Sequence, residues 1–226
     1  MSYLELHAAQ QWLHGATKLG LCAAQMPQVA DLDARLGEMT GAGLTPVAAP
    51  IPQKDFSTLL SQRRFPIATF IRRRQEIDYL EEPDIFHEIF GHAPMLTDEA
   101  FCQFLERFGT LALSLPKAPL RQLFRLFWFT VEFGLIREED ALKAFGAGIM
   151  SSPTEAKAAC NRNALRKPFD LAEVLRTPYR IDIVQPVYFI IDSFEQLVAC
   201  LDNDILAQIT QAKEMGDLPA LFDQAA

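Results

Sequence analysis

Hydrophobic positions recur mostly at helical spacing along this 226-residue chain. Residues 3–41 predict two helices, the second with apolar residues at positions 29, 32, 36 and 39. Residues 98–113, 120–136 and 139–147 predict three more helices, and a last one runs from Ser193 to Met215. The pattern therefore indicates a mainly α protein.

The segments between these helices carry a minor β signal. Residues 44–54 hold three prolines and predict an extended loop, followed by a helix over 55–62 that Asp55 would cap. Residues 65–71 predict a short strand. Residues 179–191 are rich in β-branched and aromatic residues around one proline, which favours an edge strand or a hairpin. We expect a small β element in one domain without a linker.

Composition and charge narrow the classes of function. The net charge is −8, and a protein with that balance is a poor partner for nucleic acids or anionic membranes. The four cysteines are widely spaced and form no CxxC pair, which is typical of a reducing compartment. The N-terminal residues show no signal peptide, and no apolar run reaches the length of a membrane span. We therefore expect a cytoplasmic protein.

Two of the four histidines lie in residues 83–92, PDIFHEIFGH. His87 and His92 are five residues apart, so in an α-helix their rings would point about 140° away from each other. We expect a helix that Pro83 opens and that breaks at Gly91, which would let the rings converge. The HExxH motif of zinc proteases needs a spacing of four residues, so this sequence disfavours a zinc hydrolase.

Glu132 is the only charged residue in residues 126–136, LFWFTVEFGLI. A carboxylate among aromatic side chains is costly unless it is paired, protonated or bound to a metal. The pattern alone supports a narrow solvent-facing position and a metal ligand equally well. The histidine pair favours the ligand, because two histidines and one carboxylate form the facial triad of non-haem Fe(II) oxygenases.

Four segments resemble, in order, the signature blocks of the pterin-dependent aromatic amino acid hydroxylases: EPDIFHEIFGH, FWFTVEFGLI, FGAGIMSS and TPYRIDIVQPVYFIIDSFEQL. The resemblance covers residues 36–200 and is strongest to the bacterial members that act on phenylalanine. It implies a mainly α single catalytic domain over 1–226. Within it, 1–43 would form N-terminal helices, 44–200 the iron- and pterin-binding core, and 201–226 a C-terminal helix.

The same resemblance implies a reaction. The protein would be a monooxygenase that hydroxylates L-phenylalanine to L-tyrosine, with Fe(II) as its metal and O2 and a tetrahydropterin as cosubstrates. The long C-terminal tail that makes animal members tetrameric is not visible, so we expect a monomer. Three alternatives stay open at this stage: a member of the family acting on tryptophan or another aromatic amino acid, a metal-dependent hydrolase, and a non-catalytic helical protein.

Roles of single residues around the metal also follow from the resemblance. His87, His92 and Glu132 would bind the iron. Glu88 would be an acid close to both iron and pterin, and Ser151 would support the ring of His87.

Two small-molecule sites are implied as well. Phe56 would stack on the pterin, with Ala49 and Ile51 beside it. Arg72 would hold the substrate carboxylate, which matches the fork of a guanidinium. Apolar side chains would surround the substrate ring, although plain core packing also explains their pattern. They are Pro83, Trp128 and Phe133, with Ile190 close by.

Two segments depart from the family pattern. Phe127 stands where many members have tyrosine, and Ser-Pro-Thr-Glu at 152–155 replaces Ser-Phe-Gly-Glu. The second departure leaves the course of the adjoining loop open. The indole of Trp128 would shorten the pocket, which favours a phenyl ring over an indole as substrate.

Overall fold

Helices supply most of the architecture in the computed structural model of the chain, as the hydrophobic spacing predicts. The structure describes residues 6–48, 50–76, 82–139, 141–202 and 204–223. Within these ranges, no helix combines the length and the apolar character that a membrane crossing requires. The α-helices are α1 (Gln10–Lys18), α2 (Val29–Thr40), α3 (Gln53–Ser61), α4 (Glu99–Ser114), α5 (Lys117–Phe127), α6 (Ala147–Met150), α7 (Pro153–Ala159), α8 (Leu171–Arg176), α9 (Phe194–Cys200) and α10 (Ile205–Met215).

Shorter helical turns complete the helical part. Among the described residues, two segments have the wider π-helical hydrogen bonding, His87–His92 and Trp128–Glu132. Two 3₁₀ turns lie at Arg74–Glu76 and Ala93–Thr97. The second π segment continues α5 directly, so the predicted helix over 120–136 ends at Glu132.

In the part of the chain that the structure describes, two small sheets form the β element. β1 (Gly43–Val47) and β2 (Arg64–Ala68) pair in parallel. The other strands are β3 (Leu135–Glu138), β4 (Ala141–Ala144), β5 (Arg166–Pro168) and β6 (Tyr188–Ile191), in the order β4-β3-β6-β5. β6 is therefore a buried central strand, and the edge-strand prediction for 179–191 was wrong. Pro186 precedes β6 and removes no hydrogen-bond donor from the ladder.

The predicted loop over 44–54 is wrong in its first half, because β1 occupies residues 43–47. Pro46 is tolerated there since a two-stranded sheet leaves one edge of each strand unpaired. α3 begins at Gln53 after the cap residue Pro52, so Asp55 lies in the first helical turn and does not cap the helix. β2 ends at Ala68, three residues before the end of the predicted strand.

The helix predicted over 139–147 is also wrong, because the chain forms the β3–β4 hairpin there. Glu139 turns the hairpin with a positive φ of 49°, which a helix interior does not allow. β3 pairs with β4 along one edge and with β6 along the other, and Leu135 and Ile136 are buried there. Pairing with a strand about 50 residues away thus overrides the local helical spacing.

The predicted C-terminal helix is divided into α9 and α10. Ser193 caps α9 by accepting a hydrogen bond from the backbone N–H of Gln196 at 3.3 Å. Asp204 has a left-handed φ of 68° immediately before α10, and that conformation ends any continuous helix at this point.

Phenylalanine rings fill the core between α4, α5 and the larger sheet. Phe108 lies 5.4 Å from both Phe124 and Phe127, measured between ring centroids. Phe129 meets Phe189 of β6 at 5.2 Å with the rings at 71° to each other. Aromatic pairs with this geometry add to the free energy gained by burial alone, so they fix the position of α5 and of the π segment that follows it.

Arg125 is a charged residue inside this core. Its side chain is 2% exposed, donates to the carbonyl of Leu175 at 3.0 Å and pairs with the carboxylate of Asp217 at 2.8 Å. The hydrogen bond from Arg125 keeps the pKa of Asp217 below its ordinary value. The pair joins α5 to α8 and to the segment after α10.

We predict that Asp217→Asn lowers the free energy of unfolding, because it leaves a buried guanidinium without its counter-ion. A cost of about 1–3 kcal/mol is expected, below that of a fully buried pair because Asp217 is 38% exposed. Urea denaturation of the metal-free protein measures it. The lowered pKa means that the contribution is present above the ordinary pKa of aspartate and is lost as pH falls through the folded-state value.

A surface ion pair provides the control for this prediction. Asp202 pairs with Arg107 where both side chains are about half exposed. Asp202→Asn should cost at most about 1 kcal/mol, as exposed pairs do. If both variants lowered the free energy of unfolding equally, the buried position of Arg125 would not be what makes its pair with Asp217 important.

Candidate metal centre and adjoining cavities

The π-helical turn at His87–His92 brings the two histidines together. A π-helix closes i to i+5 hydrogen bonds, so residues five apart return to the same side of the helix. The Nε2 atoms of His87 and His92 are 3.0 Å apart. The helix continues through Gly91, so the predicted break at this glycine was wrong although the predicted convergence is present.

The first turn of this helix is capped by Asp84. Its Oδ1 accepts a hydrogen bond from the backbone N–H of His87 at 2.9 Å. Helical structure begins at Ile85, so Pro83 precedes the helix and does not occupy its first turn. The cap fixes the backbone from which the His87 ring projects.

Glu132 ends the second π segment and faces the histidines. Its Oε1 lies 3.3 Å from Nε2 of His92, and its Oε2 lies 3.5 Å from Nε2 of His87. The side chain is 14% exposed, so it does not occupy an open solvent face. The ligand atoms of the three residues all lie within 4.8 Å of one another, and the group could hold a metal ion.

Electrostatics favour the metal-binding protonation states of Glu132 and His92, but not that of His87. Burial opposes the charge of Glu132, but the neighbouring His92 and His87 outweigh it and keep the pKa of Glu132 below its usual range. Burial lowers the pKa of His92, which favours the neutral ring. Burial acts on His87 too, yet the hydrogen bond and charge of Glu132 raise its pKa. An ionised carboxylate and a neutral imidazole are the forms that bind metals.

Ser151 and Glu88 lie beside the three residues. Ser151 Oγ is 2.7 Å from Nδ1 of His87, which holds the ring with Nε2 toward the cluster. Burial raises the pKa of Glu88 to about 8. Its Oε2 lies 3.8 Å from Nε2 of His92 and has no hydrogen-bond partner among the described residues. Such an unpaired buried oxygen suits a site that receives a cation or a polar ligand.

Arg72 is held by a partner that sequence analysis missed. Asp84 is 0% exposed and takes two hydrogen bonds from the guanidinium, at 2.9 Å from Nε and 2.8 Å from a terminal nitrogen. Burial opposes the charge of Asp84, but Arg72 and the backbone N–H groups lower its pKa. Arg72 also donates to the carbonyl of Ser151 at 3.0 Å. The only sequence signal for this pair is the run of three arginines at 72–74, which begins twelve residues before Asp84, and spacing alone does not reveal the pairing.

Two cavities meet at the cluster. The Phe56 cavity has a volume of about 320 Å³, and the Arg72 cavity has a volume of about 270 Å³. Glu132 and Pro83 line both. The Phe56 cavity is also lined by Ile51, Phe56, Glu88, His92 and Phe127. The Arg72 cavity is also lined by Arg72, His87, Trp128, Phe133, Ser151 and Glu155.

Phe56 and Ile51, predicted for the pterin, line the Phe56 cavity, whereas Arg72, Trp128 and Phe133, predicted for the substrate, line the Arg72 cavity. Phe56 is held edge-to-face against Phe127 at 5.4 Å, so the phenyl at position 127 supports the ring of Phe56. Ala49 lies outside the described residues. Ile190 is buried in β6 within the same hydrophobic cluster as Phe133, and it is not among the described residues that line the Arg72 cavity.

The unusual Ser-Pro-Thr-Glu sequence begins α7. Ser152 caps the helix by accepting from the backbone N–H of Glu155 at 3.2 Å. Pro153 follows at the start of the helix, where its fixed φ and missing N–H are tolerated. The departure from the family pattern is therefore compatible with an ordered helix that brings Glu155 to the Arg72 cavity.

The comparisons with known proteins agree with this geometry. The sequence model described as biopterin-dependent aromatic amino acid hydroxylase matches residues 3–211. The chain belongs to this family. It is 43% identical over 220 residues to phenylalanine-4-hydroxylase of Vibrio cholerae. The aligned region covers 97% of this chain and 76% of the relative.

Solved structures of hydroxylases share the fold of this family member. Phenylalanine hydroxylase from Legionella pneumophila has a TM-score of 0.94 and 43% identity, covering 98% of this chain and 96% of the other. Phenylalanine hydroxylase of Chromobacterium violaceum, with bound iron(III) and 7,8-dihydrobiopterin, has a TM-score of 0.91 and 35% identity. That alignment covers 98% of this chain and 81% of the other.

Close backbone packing positions the two π segments of the hydroxylase. α6 lies between them, and a Cβ atom added to Gly91 would come within 2.8 Å of the Cβ of Ala147. A Cβ added to Gly146 would lie 2.5 Å from the carbonyl oxygen of Glu132. Both glycines are needed for this approach: Gly91 lies in the EIFGH segment, and Gly146 is the first glycine of FGAG.

We predict that Gly91→Ala separates α6 from the first π segment. The expected cost is about 1–3 kcal/mol in the free energy of unfolding, as for an overpacked core. Co²⁺ titration should also show weaker binding, because the His87–His92 turn moves. Gly37→Ala is the control: no atom lies within 4 Å of the new methyl group, so it should stabilise α2 by about 0.5–1 kcal/mol. Unchanged Co²⁺ affinity in Gly91→Ala would contradict this account.

Proposed function

We propose that the chain is an Fe(II)- and tetrahydropterin-dependent monooxygenase that hydroxylates L-phenylalanine to L-tyrosine with O2. The observation that carries the proposal is the group His87, His92 and Glu132 at the junction of two cavities. The relatives named phenylalanine-4-hydroxylase and the iron- and biopterin-containing neighbour support it. Family membership speaks against the alternatives of a metal-dependent hydrolase and a non-catalytic protein.

His87, His92 and Glu132 would hold the iron. Two neutral nitrogens and one carboxylate suit Fe(II) and leave other coordination positions for small ligands. Bound iron together with the tetrahydropterin supplies the electrons and the activation of O2 that ring hydroxylation needs. Ser151 would keep the His87 ring in place, and Glu88 would offer its buried carboxyl toward the pterin side.

The Phe56 cavity would take the pterin. A planar heterocycle can stack on the half-buried ring of Phe56, which contacts the rings of Phe124 and Phe127. Ile51 lines the same cavity, and Ala49 remains a prediction. The role of the protein here is to orient the cosubstrate and to exclude water from the reacting atoms.

The Arg72 cavity would take the amino acid. The guanidinium of Arg72 would bind the substrate carboxylate, oriented for it by Asp84. Trp128, Phe133 and Pro83 would enclose the aromatic ring next to Glu132. The indole of Trp128 reduces the room for a bicyclic ring, which favours phenylalanine over tryptophan. Ile190 would act from behind Phe133 and not by direct contact.

The partners in this proposal are small molecules: the amino acid, O2 and the tetrahydropterin. A monomeric state and a cytoplasmic location belong to the proposal as well. All four cysteines are free, as expected in a reducing compartment. Analytical ultracentrifugation of the purified chain tests the monomer.

We predict that Glu132→Ala removes most bound iron and most tyrosine formation, because it deletes the anionic ligand. Iron content after anaerobic reconstitution and tetrahydropterin-dependent tyrosine formation measure the two effects. Glu195→Ala is the control, because Glu195 is exposed on α9. Full iron content and turnover in Glu132→Ala would refute the ligand assignment, and absence of tyrosine formation by the iron-loaded wild type would refute the proposed reaction.

Arg72→Lys should raise the KM for phenylalanine about ten-fold or more, because an ammonium lacks the fork that meets a carboxylate with two bonds. Lysine keeps a positive charge beside the buried Asp84, so this carboxylate retains a counter-ion and the loss of stability stays small. Arg73→Lys is the control, since Arg73 lines neither cavity. Steady-state kinetics compare the variants, and equal KM increases for both would show that the arginine run acts only as a positive field.

A further inference from the structure

The indole of Trp128 is held on several sides. Its ring stacks on Tyr179 with 4.5 Å between centroids and 17° between planes, and it meets Phe133 at 4.7 Å. Its Nε1–H donates to Oε1 of Gln185 at 2.9 Å. The stacking contacts let the indole slide within its plane, whereas the hydrogen bond fixes one point on the ring.

Gln185 can accept this bond because its own amide is fixed. Its Nε2 donates to the carbonyls of Arg180 at 3.1 Å and of Ile183 at 2.9 Å, which turns Oε1 toward the indole. The backbone N–H of Gln185 donates to Oε1 of Glu155 at 3.1 Å. The residue is buried, so a rotated amide would leave donors and acceptors unpaired.

Glu155 is the anchor of this arrangement. It is 1% exposed, and its Oε1 accepts from the hydroxyl of Tyr188 at 2.7 Å as well as from Gln185. The carboxyl therefore joins α7, β6 and the segment that precedes β6. Burial raises the pKa of Glu155 above its ordinary value, against the opposing effect of the hydrogen bonds from Tyr188 and Gln185. Glu155 and Trp128 both line the Arg72 cavity.

We propose that Glu155 is a positioning residue that acts through Gln185 to set the Trp128 indole at the wall of the Arg72 cavity. The proposal deepens the function proposed above and rests on it for the identity of the substrate. If so, the position of the substrate ring depends on the carboxyl of Glu155, which two hydrogen bonds connect to the indole. The arrangement needs an acceptor oxygen at position 155. Glu155→Gln should therefore preserve the position of the indole, and Glu155→Met should disturb it.

The test begins with metal-free protein and the fluorescence of Trp128. The chain has two tryptophans, so a Trp12→Phe background isolates the second. In that background, Glu155→Met and Gln185→Met should shift the emission to longer wavelength and increase quenching by acrylamide. Glu155→Gln should stay close to the background protein. Unchanged emission and quenching in both methionine variants would overturn the proposal.

Kinetics of the iron-loaded protein form the second arm. Glu155→Met and Gln185→Met should each lower kcat/KM for phenylalanine about ten-fold or more, with less tyrosine formed per tetrahydropterin oxidised. The preference for phenylalanine over tryptophan should narrow in both, at unchanged iron content. The double variant Glu155→Met/Gln185→Met should lose no more kcat/KM than Gln185→Met alone, because Glu155 acts on the indole only through Gln185. Additive losses would overturn the link through Gln185.

Asp217→Asn controls for loss of stability, because it weakens the fold away from the cavity and should leave the phenylalanine-to-tryptophan preference unchanged. The two arms also separate this proposal from the function on which it rests. If the wild type forms no tyrosine while the fluorescence responds as expected, the proposed reaction fails and the link from Glu155 to Trp128 stands. If the wild type forms tyrosine and the fluorescence does not respond, only the positioning role fails.

Discussion

The five-residue spacing between His87 and His92 is a constraint that the wide π-helical turn satisfies and an α-helix cannot. With the turn in place, Nε2 of each histidine points at the carboxylate of Glu132, which itself ends a second π segment. Short π segments have weaker local preferences than α-helices, so the rest of the domain has to hold them. α6 does this by lying between them at the distance that Gly91 and Gly146 permit.

Buried polar pairs extend this support outward. Asp84 serves two elements at once, because it caps the turn that carries His87 and orients the guanidinium of Arg72. Ser151 similarly joins the His87 ring to the same guanidinium through its hydroxyl and its carbonyl. The metal cluster and the arginine of the neighbouring cavity are therefore positioned by shared side chains.

Part of the site could be predicted from sequence. The histidine pair favours a two-histidine, one-carboxylate group with Glu132, although the pattern around Glu132 alone also allows a solvent-facing position. The roles of the pterin and substrate residues came from the resemblance to the hydroxylase family. The π turn could not be predicted, since the choice between i+4 and i+5 hydrogen bonds depends on packing against α6. The β3–β4 hairpin was missed for a similar reason: Leu135 and Ile136 gain their burial from β6, which is distant in sequence. The pairing of Asp84 with Arg72 likewise depends on where separate elements meet.

Glu132 and Pro83 line both cavities, and that shared wall has a thermodynamic consequence. A molecule that shifts this wall from one side changes the free energy of binding on the other. Linkage requires the effect to be reciprocal: whatever factor the first ligand imposes on the affinity of the second, the second imposes on the first. Order of addition can change the rates in such a two-sided site, but it cannot change the final coupling between its occupants.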